Sequence, residues 1–219
     1  PLKWTDLTYS NSSYDHISLT FSFLNISHSF KNKIKWNYDK YGKLWTYNLN
    51  YFDFLNQAEM KKDIGIYLIN DFIKNKESLS EGNDPYPISL RSINWIKFLS
   101  KNKIVDTKIN RVLYNDFIYL SKNLEYHLLG NHLLENGFSL FFCSYYFQQK
   151  KLYTKAKKII RAQLCEQILK DGAHFELSPM YHQTILHRLL DCIYLIKLNN
   201  FWSSDDFKSF LENKASLMW

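Results

Sequence analysis

The 219-residue sequence has few cysteines, few glycines and no long apolar run, and each shortage excludes a class of protein. The three cysteines, Cys143, Cys165 and Cys192, are odd in number and widely spaced, which argues against a disulfide framework and a zinc knuckle. Each lies in an apolar helical stretch, so we expect buried free thiols. No apolar run is long enough to cross a membrane, no signal peptide is visible, and no glycine-rich phosphate loop is present.

Histidine and carboxylate residues do not occur at spacings that are typical of a metal site. His132 and Glu135 lie three residues apart on a predicted helix, without an evident third ligand. His182 and His187 lie five apart and would face different directions. We therefore predict no metal and no cofactor.

Basic residues exceed acidic residues by 28 to 21, a formal net charge of +7, which favours polyanions such as nucleic acid, acidic polysaccharide or anionic lipid. Aromatic residues make up 17% of the chain, and they either line a carbohydrate site or reflect the base composition of the gene. The densest basic cluster lies at helical spacing and predicts a solvated helix face rather than a nucleic-acid arm. Its members are Lys150, Lys151, Lys155, Lys157, Lys158 and Arg161.

Residues 1–48 do not show helical periodicity, and we predict an extended, turn-rich arm. Within it, Leu19, Phe21 and Phe23 alternate with polar residues, which predicts a short strand between His16 and Phe30. A turn region is predicted from Trp36 to Trp45.

Residues 49–219 are predicted to form a helical domain, because from Asn50 onward the apolar residues recur at helical spacing. Gly130 is a predicted helix stop, and Ser178 is a predicted N-cap with Pro179 at the first helical position. Short connections favour antiparallel hairpins, which fit an α/α toroid, an open solenoid or a bundle. The predicted helices cover about 50–75, 89–101, 108–129, 133–148 and 151–170, one that starts at Ser178-Pro179, and a last short one after Ser203-Ser204.

Three junctions between loops and helices gather polar, potentially reactive side chains, which a helical scaffold would present at one end. They are Pro85 to Trp95 (PYPISLRSINW), Gly130 to Gly137 (GNHLLENG) and Asp171 to His182 (DGAHFELSPMYH).

Together with Leu44 to Asp53, these junctions resemble the heparinase II/III family of polysaccharide lyases, in order, from about residue 20 to residue 195. The resemblance implies an all-α fold, an incomplete α/α toroid of antiparallel helical hairpins with a short extended N-terminal arm. In the family an antiparallel β-sandwich follows, and this chain, which starts at Pro1 rather than Met, is expected to be a piece of a longer protein without that domain. A periplasmic or extracellular location is implied, although the sequence itself does not fix it.

The resemblance also implies β-elimination on a uronate-containing acidic polysaccharide, which is either glycosaminoglycan-like or bacterial capsular. Such an enzyme removes the proton on C5 of a uronate, next to a carboxylate whose negative charge opposes the step. It must neutralise that carboxylate and then supply a base for C5 and an acid for the leaving oxygen.

By the same resemblance, Asn131 and His132 act at the carboxylate end and Tyr181 transfers protons. The positive end of the helix that follows Ser178 would stabilise negative charge at Tyr181, and a histidine of the β-sandwich domain would complete the set. The residues expected to bind substrate are Arg91, Asn94, Trp95, Glu135, His174, Glu176 and His182.

Each of these residues also has a structural alternative. Asn131 could be only an N-cap, His132 a packed histidine and Tyr181 an interface residue. Arg91 could stack on Trp95, one turn further along the helix, and His174 and Glu176 could shape their loop. Ala173 also stands where the family motif has a second glycine, so a positive φ at that position would be strained.

Two other functions fit the sequence. A glycoside hydrolase on an α/α toroid would need two carboxylates, from among Glu135, Asp171 and Glu176. A non-catalytic helical domain would bind polyanions through its basic surface alone. We expect an acidic polysaccharide and the β-sandwich of the same protein as partners, with no nucleic acid and no membrane insertion.

Overall fold

The computed structural model describes residues 1–6, 9–128, 130–202 and 206–219. This part of the chain is mostly helical, with eight α-helices behind a small antiparallel sheet. The strands are β1 (Tyr14–Asp15), β2 (Thr20–Phe23) and β3 (Ile26–Ser29). The helices are α1 (Lys43–Tyr51), α2 (Lys62–Asn75), α3 (Pro85–Lys101), α4 (Thr107–Lys122), α5 (His132–Tyr146), α6 (Lys150–Gln167), α7 (Pro179–Leu198) and α8 (Phe207–Met218).

The N-terminal arm contains the predicted strand, as β2 of a sheet with strand order β1-β2-β3. Phe21 and Phe23 point to the buried face, as their alternation predicts, and Phe21 packs edge-on against Phe54 beyond α1. The all-α class with a short extended arm is therefore confirmed. Helix α1 starts at Lys43, so it crosses the predicted boundary between residues 48 and 49.

Two predicted helices are shorter than their apolar spacing suggests. The helix predicted over 50–75 is broken, because Phe52 adopts a left-handed conformation (φ 60°) and α2 begins only at Lys62. The helix predicted over 108–129 ends at Lys122, so Gly130 is not its stop. The residues that follow Lys122 instead lie beside the start of α5, where the Glu125 backbone N–H donates to the Asn136 side chain. The predicted start of the last helix at Ser203-Ser204 lies outside the described residues.

Helices α3 and α5 form the centre of the domain. Both are buried on nearly every side, since α3 packs against α1, α4 and α5, and α5 also packs against α6 and α7. The outer helix α4 shows the single apolar stripe that its sequence predicts, and Asp106 caps it by accepting a hydrogen bond from the Ile109 N–H at 2.9 Å.

All three cysteines are free, but only two are buried as predicted. Cys143 and Cys192 lie in the core. Cys165 is exposed, because it lies one residue, or about 100° around the helix, past Leu164 on the buried stripe of α6. The prediction of a buried thiol at Cys165 is therefore wrong.

Helix α7 is joined to the two central helices by buried ion pairs. Arg188 Nε lies 3.2 Å from Glu135 Oε2 on α5, and the Lys97 ammonium on α3 pairs with Asp191. Arg188 also lies 3.8 Å from Asp191, so the two pairs form one network. None of the helices in the described ranges is both long enough and apolar enough to span a membrane.

Replacing Arg188 by Met should lower the free energy of unfolding by about 3–5 kcal/mol, because Glu135 keeps its burial and loses its partner. Adding Glu135→Leu to that variant should restore most of the loss, since no unpaired carboxylate remains. Urea denaturation at neutral pH measures both effects.

Lys197→Met on the same helix is the control, since Lys197 belongs to an exposed pair with Glu212 and should change stability by less than about 1 kcal/mol. An Arg188→Met variant as stable as this control would contradict the assignment.

Candidate functional site

The site is built where the first turns of α3 and α5 meet. Tyr86 is the second residue of α3, and Asn131 stands immediately before α5. Asn131 Nδ2 donates to the Tyr86 hydroxyl at 3.2 Å, and the rings of Tyr86 and His132 are 4.3 Å apart between centroids. Tyr86 thus contacts both residues that the sequence predicts for the carboxylate end.

Asn131 occupies the N-cap position of α5, but its side chain makes no capping hydrogen bond. The residue is 7% exposed, and its amide is directed to Tyr86 instead. The structural alternative of a pure N-cap therefore explains where Asn131 lies in the chain but not the orientation of its side chain.

His132 also contacts Glu125, a residue that the sequence did not single out. His132 Nδ1 lies 3.1 Å from Glu125 Oε1, and the His132 side chain is 34% exposed whereas that of Glu125 is 7% exposed. Sequence reasoning missed Glu125 because it placed the residue within the helix predicted over 108–129. What identifies Glu125 is its contact with Asn136, eleven residues later.

Tyr181 is the third residue of α7, as predicted, and it is partly exposed. Burial raises the pKa of the Tyr86 hydroxyl, and Glu135 and, to a smaller extent, Tyr181 raise it further. Asn131 and Arg188 act in the opposite direction. Asn131 and His132 thus contact Tyr86 directly, whereas Tyr181 acts on it only through this small electrostatic contribution.

The segment between α6 and α7 is fastened to the residue that precedes Asn131. Gln167 Nε2 donates to the Gly130 carbonyl at 2.9 Å, and Gln167 Oε1 lies 3.2 Å from Nε2 of the buried His174. The Glu176 carboxylate fills the space that a side chain on Gly130 would need. Through these contacts His174 and Glu176 shape the loop between α6 and α7. The His174 ring lies 6.1 Å from that of Tyr181.

The glycine that this loop requires is Gly172, not position 173. Gly172 has φ +89°, and a Cβ there would lie 1.9 Å from the backbone oxygen of Leu217 on α8. Ala173 is not among the residues with positive φ, so it does not suffer the strain considered above for its place in the motif.

Arg91, Asn94 and Trp95 are at most 2% exposed, and each has protein partners. Arg91 binds Asp116 at 3.0 Å and stacks on Phe72 rather than on Trp95. Asn94 Nδ2 donates to the Tyr51 carbonyl at 2.8 Å.

Two other residues expected to bind substrate also have partners inside the protein. Glu135 is fully buried against Arg188, and burial raises its pKa although Arg188 opposes the shift. His182 Nε2 lies 2.8 Å from the Met218 carbonyl oxygen. We therefore leave these two, together with Arg91, Asn94 and Trp95, out of the proposed substrate surface. Within the described ranges no group of three or more His, Cys, Asp or Glu residues could hold a metal ion.

Residues 88–217, more than half of the chain, match the heparinase II/III N-terminus family. The chain belongs to this family. None of the curated proteins matches it in sequence. The family assignment confirms the resemblance that the three polar junctions carried.

Solved structures of heparinases have the same fold. A heparan sulfate lyase HepC from Pedobacter heparinus shares 16% identity over 99% of this chain and 39% of its own, with a TM-score of 0.69. A heparinase III gene product with methylated lysines shares 16% over 99% and 42%, with a TM-score of 0.66. The heparinase II/III chain thus spans about two fifths of these structures, and the likeness confirms the predicted fold class.

Gly172→Ala should destabilise the protein by more than the roughly 1 kcal/mol of a strained φ, because the new Cβ collides with the backbone of α8. Ala173→Gly is the matched control and should cost less than about 1 kcal/mol, since it only adds freedom to the unfolded chain. Thermal unfolding of the two variants measures the difference. Equal stability would show that α8 does not pack on this loop.

Stability should fall as the pH is lowered below about 6.5, the value for an unfolded histidine. Burial lowers the pKa of His174, although Glu176 partly opposes the shift. The unfolded chain therefore takes up a proton before the folded protein does, and the stability present above the unfolded pKa is lost as the pH falls toward the folded pKa.

In thermal unfolding between pH 7.5 and 5.5, His174→Gln should show a weaker pH dependence than the parent protein. His127→Gln, at an exposed histidine, should retain the parent's dependence. An unchanged slope in His174→Gln would contradict the assignment.

Proposed function

We propose that this heparinase II/III chain belongs to a polysaccharide lyase that cleaves uronate-containing acidic polysaccharides by β-elimination. The substrate is a glycosaminoglycan-like or bacterial capsular chain. Asn131 and His132 neutralise the uronate carboxylate, and Tyr181 serves as acid and base. The full-length protein adds a C-terminal β-sandwich domain that contributes a further histidine.

The observation that carries this proposal is the orientation of the Asn131 amide. A residue at an N-cap normally uses its side chain to satisfy the first free N–H groups of the helix. Asn131 instead holds its amide against Tyr86, beside the partly exposed ring of His132. A carboxylate bound there would also lie near the positive ends of α3 and α5, which favour anions.

Proton transfer is assigned to Tyr181 by the family resemblance, and its partial exposure on the first turn of α7 supports the assignment. In the reaction, the C5–H bond breaks and its electron pair forms the C4–C5 double bond. The bond from C4 to the glycosidic oxygen breaks at the same time, and that oxygen takes up a proton. As the base, Tyr181 has to be a phenolate when it receives the proton from C5. It then gives that proton to the leaving oxygen, so Tyr181 ends the reaction in its starting form and no water is consumed.

The geometry removes one of the three carboxylates that a hydrolase could use. Glu135 is fully buried in an ion pair, and Asp171 accepts a hydrogen bond from the Ala173 N–H at 3.0 Å within its own loop. Hydrolysis needs two carboxylates that flank the scissile bond, and of the three candidates only Asp171 and Glu176 are exposed.

The test uses the chain extended to the length of the solved heparinases, incubated with a panel of uronate polysaccharides. The parent protein should generate the ultraviolet absorbance of unsaturated uronate. Tyr181→Phe should lose about 10²–10⁴-fold in rate, the usual contribution of a general acid–base group.

Tyr114→Phe, at an exposed tyrosine of α4, serves as the matched control and should retain the parent rate. New reducing ends without unsaturated product would instead establish a hydrolase. Salt-dependent binding without any cleavage would support the remaining alternative, a non-catalytic domain that binds polyanions.

A further inference from the structure

The two nitrogens of His132 have different surroundings. Nδ1 faces the buried carboxylate of Glu125 at 3.1 Å. Nε2 has no protein hydrogen-bond partner within the described ranges, and the side chain is 34% exposed. The ring itself packs against that of Tyr86, with an angle of 34° between the two ring planes.

The orientation of Glu125 is set by Asn136, one turn into α5. The backbone N–H of Glu125 donates to the Asn136 side chain at 2.9 Å, so the end of the amide that accepts this bond must be Oδ1 and the other end must be Nδ2. Nδ2 then donates to Glu125 Oε2 at 2.8 Å and to Ser89 Oγ at 3.0 Å. Glu125 Oε2 is therefore an acceptor, and Oε1 is left to face His132.

We propose that Glu125 is a positioning residue that keeps the proton of His132 on Nδ1 and directs Nε2 toward the substrate. A carboxylate only accepts hydrogen bonds, so the Nδ1–H···Oε1 arrangement fixes one tautomer of the neutral ring. With the proton on Nδ1, Nε2 is the nitrogen that can accept a hydrogen bond or a proton from a ligand.

The consequence for catalysis rests on the proposed function. When a uronate carboxylate approaches, His132 can bind a proton on Nε2 and face one carboxylate on each side. Its positive charge then opposes the negative charge that develops at C5, which is the purpose of an electrostatic contact in the transition state. Glu125 itself is buried and does not touch the substrate.

Glu125→Gln should reverse the tautomer without removing the side chain. The Gln carbonyl oxygen must accept from Asn136 Nδ2, because two donors cannot face each other at 2.8 Å. The Gln NH₂ group then points at His132 Nδ1, which becomes an acceptor, so the proton moves to Nε2. A ring held in this way cannot become the imidazolium without losing a hydrogen bond.

The first measurement uses the 219-residue chain labelled with ¹⁵N-histidine, at a pH at which the imidazole is neutral. Two-bond ¹H–¹⁵N correlations assign the tautomer, and the signals missing in His132→Gln identify His132. We expect the Nδ1–H tautomer in the parent and the Nε2–H tautomer in Glu125→Gln. Glu59→Gln, at an exposed glutamate, should leave the parent pattern unchanged. An Nε2–H tautomer in the parent overturns the proposal whether or not the variant folds.

The second measurement repeats the elimination assay with the extended chain. Glu125→Gln should lose on the order of 100-fold in kcat, in the range of acid–base and tautomer effects, with a smaller change in KM. If the tautomer is reversed but kcat stays within about twofold of the parent, the proposed contribution of Glu125 to catalysis would be wrong. Absence of elimination by the parent would count against the proposed function alone, because the tautomer assignment does not depend on it.

Discussion

The candidate site depends on the two buried ion pairs through which α7 is attached to α3 and α5. Burial opposes the charge of Arg188, but the carboxylates of Glu135, Asp191 and Asp53 outweigh it and raise the pKa of the guanidinium. Such a pair is costly to bury and tolerates little displacement of its partners. It therefore contributes to the register of the helices more than to their total stability. Because Arg188 lies two turns after Tyr181, this register also decides where Tyr181 stands relative to Tyr86.

The irregular segments that surround the site follow from this arrangement. The chain leaves α4 at Lys122 and returns to α5 only at His132, which leaves Glu125 free to turn inward. The loop after α6 folds against the same segment, through the contact of Gln167 with the Gly130 carbonyl. A helix that continued to residue 129, as the apolar spacing suggests, would place Glu125 in register with α4 and away from His132.

The sequence predicts those features that depend on local patterns. The stripe of α4 and the alternation of Phe21 and Phe23 in β2 follow from periodicity. The start of α7 follows from Pro179 at the first helical position, since Ser178 stands at the N-cap but makes no capping hydrogen bond. The resemblance supplied the family and Asn131, His132 and Tyr181. It could not supply Glu125, because its contacts run to Asn136 and His132 rather than along its own segment.

The polar residues of α3 show the opposite failure, in which the sequence suggests a binding site that the structure does not support. Arg91, Asn94 and Trp95 stand out in the sequence because such side chains are rarely buried, and a site is the usual explanation. Here they are buried with partners: Arg91 neutralises Asp116, and Asn94 satisfies the Tyr51 carbonyl at the end of α1. An unusual polar residue therefore shows that its side chain has a specific role. Only its exposure tells whether that role is to pack inside the protein or to bind a ligand.

Side-chain exposure also separates the roles of the two tyrosines of the site, Tyr86 and Tyr181. Burial raises the pKa of Tyr86, so its hydroxyl keeps its proton and remains a fixed acceptor for the Asn131 amide. Tyr181 is partly exposed at the first turn of α7. A residue that must exchange protons with a substrate needs that access, whereas a residue that orients its neighbours needs enclosure. The division of labour that we propose, with Tyr86 and Glu125 holding Asn131 and His132 while Tyr181 reacts, thus rests on this difference in exposure.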